Sequence, residues 1–247
     1  MTGMKTIAVY NLKGGVGKTT TAVNLAWCAA RRSARKTLLW DLDPQAAASF
    51  LIGDDGVPKD EAQSIFAKQV DPAKLAHPST VSGINIISAD ASLRGLDRLL
   101  FDIGKRKRLK KLIDTLAAKY DRIILDCPPG LNETADQVLR AADLVIVPVI
   151  PSPLSDRAFA AVRTYLDRQS GKHAPMLPVY SMVDRRRTLH REALRAHPDW
   201  PVIPMTSMVE KMGEERRPLG EFDQRTPAFN AYVRLWEGIE KKLSKGA

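Results

Sequence analysis

The feature that most limits how this chain can fold is the run Lys13-Gly14-Gly15-Val16-Gly17-Lys18-Thr19-Thr20. It follows a short apolar run at 6–11 and precedes a helical pattern at 19–32. Glycines let a backbone turn so that successive N–H groups point inward, where they cradle phosphate oxygens. A helix starting directly behind such a loop aims its positive end at the same anion. Lys18 is placed to reach the β- and γ-phosphates of a nucleotide, and the Thr19 hydroxyl to ligate Mg²⁺. The strict template G-x-x-x-x-G-K-[ST] has glycine where this chain has Leu12, so one position fails while the chemistry is kept. A plain Gly-rich turn is the bland alternative, and Gly-Lys-Thr-Thr between a strand and a helix argues against it. Gly14, Gly15, Val16, Gly17, Lys18, Thr19 and Thr20 are therefore the expected nucleotide-binding set, with ATP and Mg²⁺ as cofactors.

The remaining pattern alternates. Strands are expected at 6–11, 37–41, 84–88, 122–126, 144–150, 176–183 and 202–203. Helices are expected at 19–32, 91–101, 109–116, 135–142, 156–169, 189–197, 207–217 and 228–244, and the polar segment 53–82 as loop with one short helix. Strands apolar along their whole length, separated by helices, imply an α/β fold: a doubly wound, mostly parallel sheet with helices on both faces. A single P-loop domain over 1–247 is expected.

Composition narrows the class further. No apolar run reaches the roughly 20 residues that span a bilayer, and the N-terminus lacks a secretory pattern. Cys28 and Cys127 have no metal-type spacing and suit a reducing, cytoplasmic setting. The net charge of +10 points either to an anionic partner or to solubility alone. Residues 98–122 carry nine Lys/Arg against three Asp/Glu, read as the outer face of an amphipathic helix. Carboxylates stand at two strand ends, where ligands gather in doubly wound folds: Asp41 and Asp43 in TLLWDLDPQ, and Asp126 in RIILDCPPG. Helix capping is their structural alternative.

KGGVGKTTTAVNLA resembles the deviant Walker A motif of the ParA/MinD group of P-loop ATPases. The resemblance implies that Lys13 is the signature lysine, which reaches across an ATP-sandwich homodimer to the partner's phosphates and, with Lys18, stabilises transition-state charge. DLDPQ is similar to the group's switch I. By that match Asp43 orients the attacking water and Asp41 lies near the Mg²⁺ shell. RIILDCPPG is similar to Walker B and switch II, which makes Asp126 a Mg²⁺ partner through water. The group's adenine pocket maps near Pro204 and Met205.

The DCPPG and AADLVIVPVIPSPLSDRAF segments look more like ParA than MinD, and a loop starting at residue 13 leaves no room for an N-terminal helix-turn-helix extension. The resemblance thus implies a small ParA-like, nucleoid-associated ATPase that dimerises on ATP and binds DNA non-specifically. It would position or segregate a plasmid, a chromosome or a protein cluster, with a ParB-like or cargo-adaptor protein stimulating hydrolysis. Arg185, Arg187, Arg216, Arg217 and Arg225 are the DNA-binding candidates. Two departures stand out: Ala46-Ala47 replaces the usual Gly-Asn, and Pro204–Met208 replaces Pro-Arg-x-x-Arg. The alternatives are a MinD-like membrane-associated ATPase and a metabolic P-loop synthase. The C-terminal stripe Phe229, Val233, Trp236, Ile239 and Leu243, with Lys241, Lys242 and Lys245 beside it, is read as core in preference to membrane anchor.

Overall fold

The computed structural model describes residues 3–53, 62–104, 107–168 and 174–245. Lys105 and Arg106 of the basic stretch, residues 54–61 of the polar segment, Gln169 and the side chain of Lys245 lie outside that description. The expected apolar runs form strands: β1 (Lys5–Val9), β2 (Thr37–Asp41), β4 (Ile84–Ile87), β5 (Arg122–Asp126), β6 (Leu144–Val149), β7 (Met176–Val183) and β8 (Val202–Pro204). A two-residue strand that the polar segment hides, β3 (His77–Pro78), completes one sheet in the order β3-β4-β2-β5-β1-β6-β7-β8. Every pairing is parallel except β3 with β4.

The helices are α1 (Lys18–Trp27), α2 (Ala47–Ile52), α3 (Ser64–Ala67), α4 (Pro72–Leu75), α5 (Leu96–Ile103), α6 (Arg108–Asp114), α7 (Glu133–Ala141), α8 (Pro153–Arg168), α9 (Thr188–Ala196), α10 (Ser207–Glu215), α11 (Leu219–Phe222) and α12 (Pro227–Lys245). Cys28–Arg32 continues α1 as a π-helical turn, so the 19–32 expectation is met by two helix types in series. The polar segment holds two short helices, α3 and α4, where one was expected.

Neighbouring residues of one strand feed opposite cores, which is why the strands are apolar throughout. Leu38, Trp40, Ile123 and Leu125 pack on one face with Leu96, Leu109, Leu112 and Val138. Leu39, Ile124, Ile7 and Val9 pack on the other with Val23, Leu25, Tyr232, Trp236 and Ile239. The α12 stripe therefore faces the sheet: Phe229, Trp236, Ile239 and Leu243 are buried, and Trp236 Nε1 donates to Ser33 Oγ at 2.8 Å.

The basic stretch departs from a wholly solvated face. Arg108 is buried and its guanidinium donates to the Phe66 carbonyl, with Nε at 2.8 Å. Arg122, at the start of β5, is 1% exposed and meets Glu240 of α12 through Nε at 2.6 Å and Nη2 at 2.9 Å. Arg35 joins the same carboxylate at 3.0 Å. Charge counting along a sequence cannot separate such arginines from solvated ones, because the acid that pairs with Arg122 lies 118 residues away.

Burial alone would raise the Glu240 carboxyl, but Arg122 and Arg35 outweigh it and hold the group below its ordinary value of 4.5. A depressed folded-state value means the pair stabilises the protein at neutral pH and loses that contribution as pH falls from about 4.5 downward. Glu240→Gln is expected to remove about 3 kcal/mol of stability at pH 7, because Arg122 stays buried with its charge uncompensated. Urea unfolding should show the difference from the parent chain shrinking as the pH is taken below 4.5.

Candidate functional site

The phosphate loop leaves β1 at the carboxyl edge of the sheet and is braced from three neighbouring strands. Tyr10 donates its hydroxyl to the Gly130 carbonyl at 2.6 Å, and Gly130 N–H returns to Leu12 O at 3.2 Å, tying the loop to the segment after β5. Asn11 Nδ2 donates to Pro148 O at 2.7 Å, in β6, and Asn11 Oδ1 accepts Lys13 N–H at 3.0 Å. Ser181 Oγ donates to Val16 O at 2.7 Å, from β7. Gly15 and Gly17 hold φ of +71° and +87°, conformations that L side chains rarely adopt. Gly17 caps α1 without any side-chain acceptor, so the first N–H groups of α1 are left for an anion.

Lys18 is buried and folds back so that Nζ donates to the main-chain carbonyl of Lys13 at 3.0 Å. Burial lowers the Lys18 pKa, while Asp126 and Asp43 pull it upward. Asp41 and Asp126 are register partners on adjacent strands, and neither has any solvent exposure. Burial pushes the Asp41 carboxyl up to about 6, against three hydrogen bonds: from Ser49 N–H at 2.9 Å, Ser49 Oγ at 2.7 Å and Asp43 N–H at 3.1 Å. Burial drives Asp126 well above the ordinary range, and the Asp41 charge adds to it. The Thr19 hydroxyl favours the Asp126 carboxylate, yet among the described residues no donor meets hydrogen-bond geometry at either of its oxygens.

Two sealed carboxylates side by side, with one lysine acting on Asp126, make a site short of positive charge, and the two unpartnered buried oxygens of Asp126 make it short of partners. A divalent cation next to Thr19 supplies both, so the residues fit Mg²⁺. Among the described residues no group of three His, Cys, Asp or Glu converges as a closed metal cage.

Asp43 is half-buried, and its Oδ1 accepts Gln45 N–H at 2.9 Å. The next turn contains the Ala46-Ala47 departure. Ala46 sits at φ +54°, a conformation where glycine is unstrained, so the backbone keeps the shape that the usual Gly allows. Pro204 pairs with Val183 across β7 and β8, and exposed Met205 follows it, its N–H donating to Val183 O at 3.0 Å. The edge formed by β7 and β8 flanks the loop: a methyl added to Gly17 would lie 3.6 Å from the Met182 side chain.

The arginines divide. Arg185, Arg187 and Arg225 are exposed and form no side-chain hydrogen bond or ion pair among the described residues. Arg217 pairs with Glu215. Arg216 is only half-exposed: its Nε donates to Phe50 O at 2.9 Å and its guanidinium lies 4.9 Å over the Phe50 ring. Sequence reading missed Ser49, Tyr10, Asn11 and Ser181, for each is a single polar residue whose partner lies in another element.

Loop, parallel sheet and strand-end carboxylates define a P-loop nucleotide-binding protein. Residues 4–174 match the AAA_31 family, an AAA domain. The chain is 31% identical to the chromosome-partitioning ATPase Soj of Thermus thermophilus, covering 98% of both chains. It is 37% identical to the sporulation initiation inhibitor protein Soj of Bacillus subtilis, where the match covers 59% of this chain and 58% of that protein. In structure it resembles McdA from Cyanothece in a complex with ATP, with TM-score 0.83 and 21% identity over 99% of this chain and 98% of that one. It also resembles cobyrinic acid a,c-diamide synthase from Mycobacterium smegmatis with an ATP analogue and magnesium, with TM-score 0.82 and 26% identity over 99% and 97%. The chain belongs to the ParA/MinD family of P-loop ATPases.

Gly17→Ala is expected to lower stability by about 1–2 kcal/mol through its left-handed backbone alone. Urea unfolding without nucleotide measures that cost separately from any effect on binding.

Proposed function

We infer that this chain is a partitioning ATPase that hydrolyses ATP with Mg²⁺, dimerises around two nucleotides, binds DNA without sequence preference and positions a cargo. The observation that carries the reading is the loop itself: Lys18 is buried inside it and donates Nζ to the main-chain carbonyl of Lys13, the lysine that opens the deviant motif. The loop amides and Lys18 would hold the β- and γ-phosphates, and Pro204 and Met205 would border the base. Thr19, Asp41 and Asp126 would hold Mg²⁺, which neutralises charge on the phosphate oxygens. Asp43, half-buried beside them, would orient the attacking water, and Lys13 of each copy would stabilise charge on its partner's nucleotide.

The exposed apolar residues Leu131, Leu154 and Met205, 42%, 68% and 62% exposed, follow β5, β6 and β8 at this same edge of the sheet, where a second copy would cover them. The full-length likeness to a chromosome-partitioning ATPase favours the ParA-like branch. The buried α12 stripe disfavours the MinD-like one. No helix among the described residues is long and apolar enough to cross a membrane. On this reading the protein works in the cytoplasm on the nucleoid. DNA contacts would come first from Arg225, Arg185 and Arg187, whose side chains are free, and a ParB-like or cargo-adaptor protein would stimulate hydrolysis.

The metabolic reading has one specific support, the likeness to the diamide synthase. Binding to random-sequence duplex DNA, measured with ATP, ADP and no nucleotide across a salt series, separates the two. The partitioning reading expects binding only with ATP. With about six phosphate contacts, affinity should fall on the order of 10³-fold between 50 and 200 mM salt. Intact ATP hydrolysis without DNA binding in any state would overturn it. Asp43→Ala should keep ATP and accumulate as a dimer by light scattering; a variant that stays monomeric with ATP contradicts the role given to Asp43.

A further inference from the structure

The six-residue helix α2 lies between the buried carboxylate Asp41 and the basic turn at Arg216, and two of its consecutive residues contact one each. Ser49 sends both its N–H and its hydroxyl to the same oxygen of Asp41, Oδ2, at 2.9 and 2.7 Å. The Ser49 oxygen in turn accepts Ala89 N–H at 2.8 Å, just beyond β4. With donor and acceptor both engaged, the hydroxyl has one orientation left, and its hydrogen points at Asp41.

Phe50 works outward. Its carbonyl is one of the last four of α2, which lack partners within the helix. Arg216 Nε fills that vacancy at 2.9 Å, and its guanidinium covers the exposed Phe50 ring. Arg216 holds φ +49°, a conformation rare for a residue with a side chain, at the end of α10. A cation at the C-terminal end of α2 also meets the negative end of its dipole.

We propose that Ser49 is the positioning residue for Asp41, and that the Phe50–Arg216 contact braces the helix carrying it. Asp41 Oδ2 then stays tied to α2, while its Oδ1 accepts Asp43 N–H at 3.1 Å. Partners of this kind behind a metal site set how tightly the metal is held, typically by 10–100-fold. The brace also occupies Arg216, one of the cations a DNA partner would use, so the metal end of the site and this basic turn share one short helix. The inference rests on the ATP–Mg²⁺ reading above.

The test titrates MgCl₂ against the binding of a fluorescent ATP analogue and against ATP hydrolysis. Ser49→Ala should raise the half-saturating Mg²⁺ concentration at least about tenfold, with analogue binding in EDTA unchanged. Ser49→Thr, which keeps the hydroxyl, should stay within about twofold of the parent chain. Phe50→Ala, at an exposed position that tolerates truncation, should move the midpoint the same way by a smaller factor. A purely structural serine would lower the melting temperature and the amplitude without moving the Mg²⁺ midpoint, and that outcome overturns the proposal. So does a Ser49→Thr shift as large as that of Ser49→Ala. If Ser49→Ala does not fold, Ser49→Thr and Phe50→Ala decide: an unmoved midpoint in Phe50→Ala removes the brace. A parent chain with no Mg²⁺ dependence at all would overturn the ATP–Mg²⁺ reading itself, an outcome distinct from failure of the serine.

Discussion

Two carboxylates without solvent, side by side at the ends of β2 and β5, are the constraint on which the rest of the site depends. Charges so placed are tolerated only when compensated. One lysine, one serine and a nearby threonine go part of the way. Among the described residues both oxygens of Asp126 lack a hydrogen-bond donor, an arrangement that fits a cation. The parallel sheet makes the arrangement possible, because adjacent strands finish together and bring residues 85 positions apart in sequence to one register position.

The loop that would hold a nucleotide is stiff for a related reason. Tyr10, Asn11 and Ser181 tie it to β6, to β7 and to the segment after β5. The N–H groups at the start of α1 are left unpinned by any side chain. Preorganised donors of this kind need little rearrangement when an anion arrives, which is where their energetic advantage lies. The strain at Gly15 and Gly17 is the local consequence, and glycine meets it at low cost.

The far side of the molecule serves stability. The stripe on α12 closes one hydrophobic core, and the Arg35–Glu240–Arg122 cluster anchors that helix to the start of β5. The same stripe, taken as a sequence, has the spacing and nearby lysines of a membrane-surface helix. Amphipathic periodicity reports that one face is apolar without saying what covers it. The sheet covers it here.

Short-range signals carried most of what was legible in advance. The phosphate loop, the alternation of strands and helices, and the carboxylates after β2 and at the end of β5 all depend on residues within a few positions of one another, where spacing and residue type determine the outcome. What only the tertiary structure decided involves partners far apart in the chain: Arg108 and Arg122 as buried arginines, Arg216 as a clasp on Phe50, Ser181 as a brace for Val16. A side chain's chemistry is written at its own position. Its burial and its partner are set by which strands lie side by side, and the pairing of a parallel sheet is a property of the whole chain.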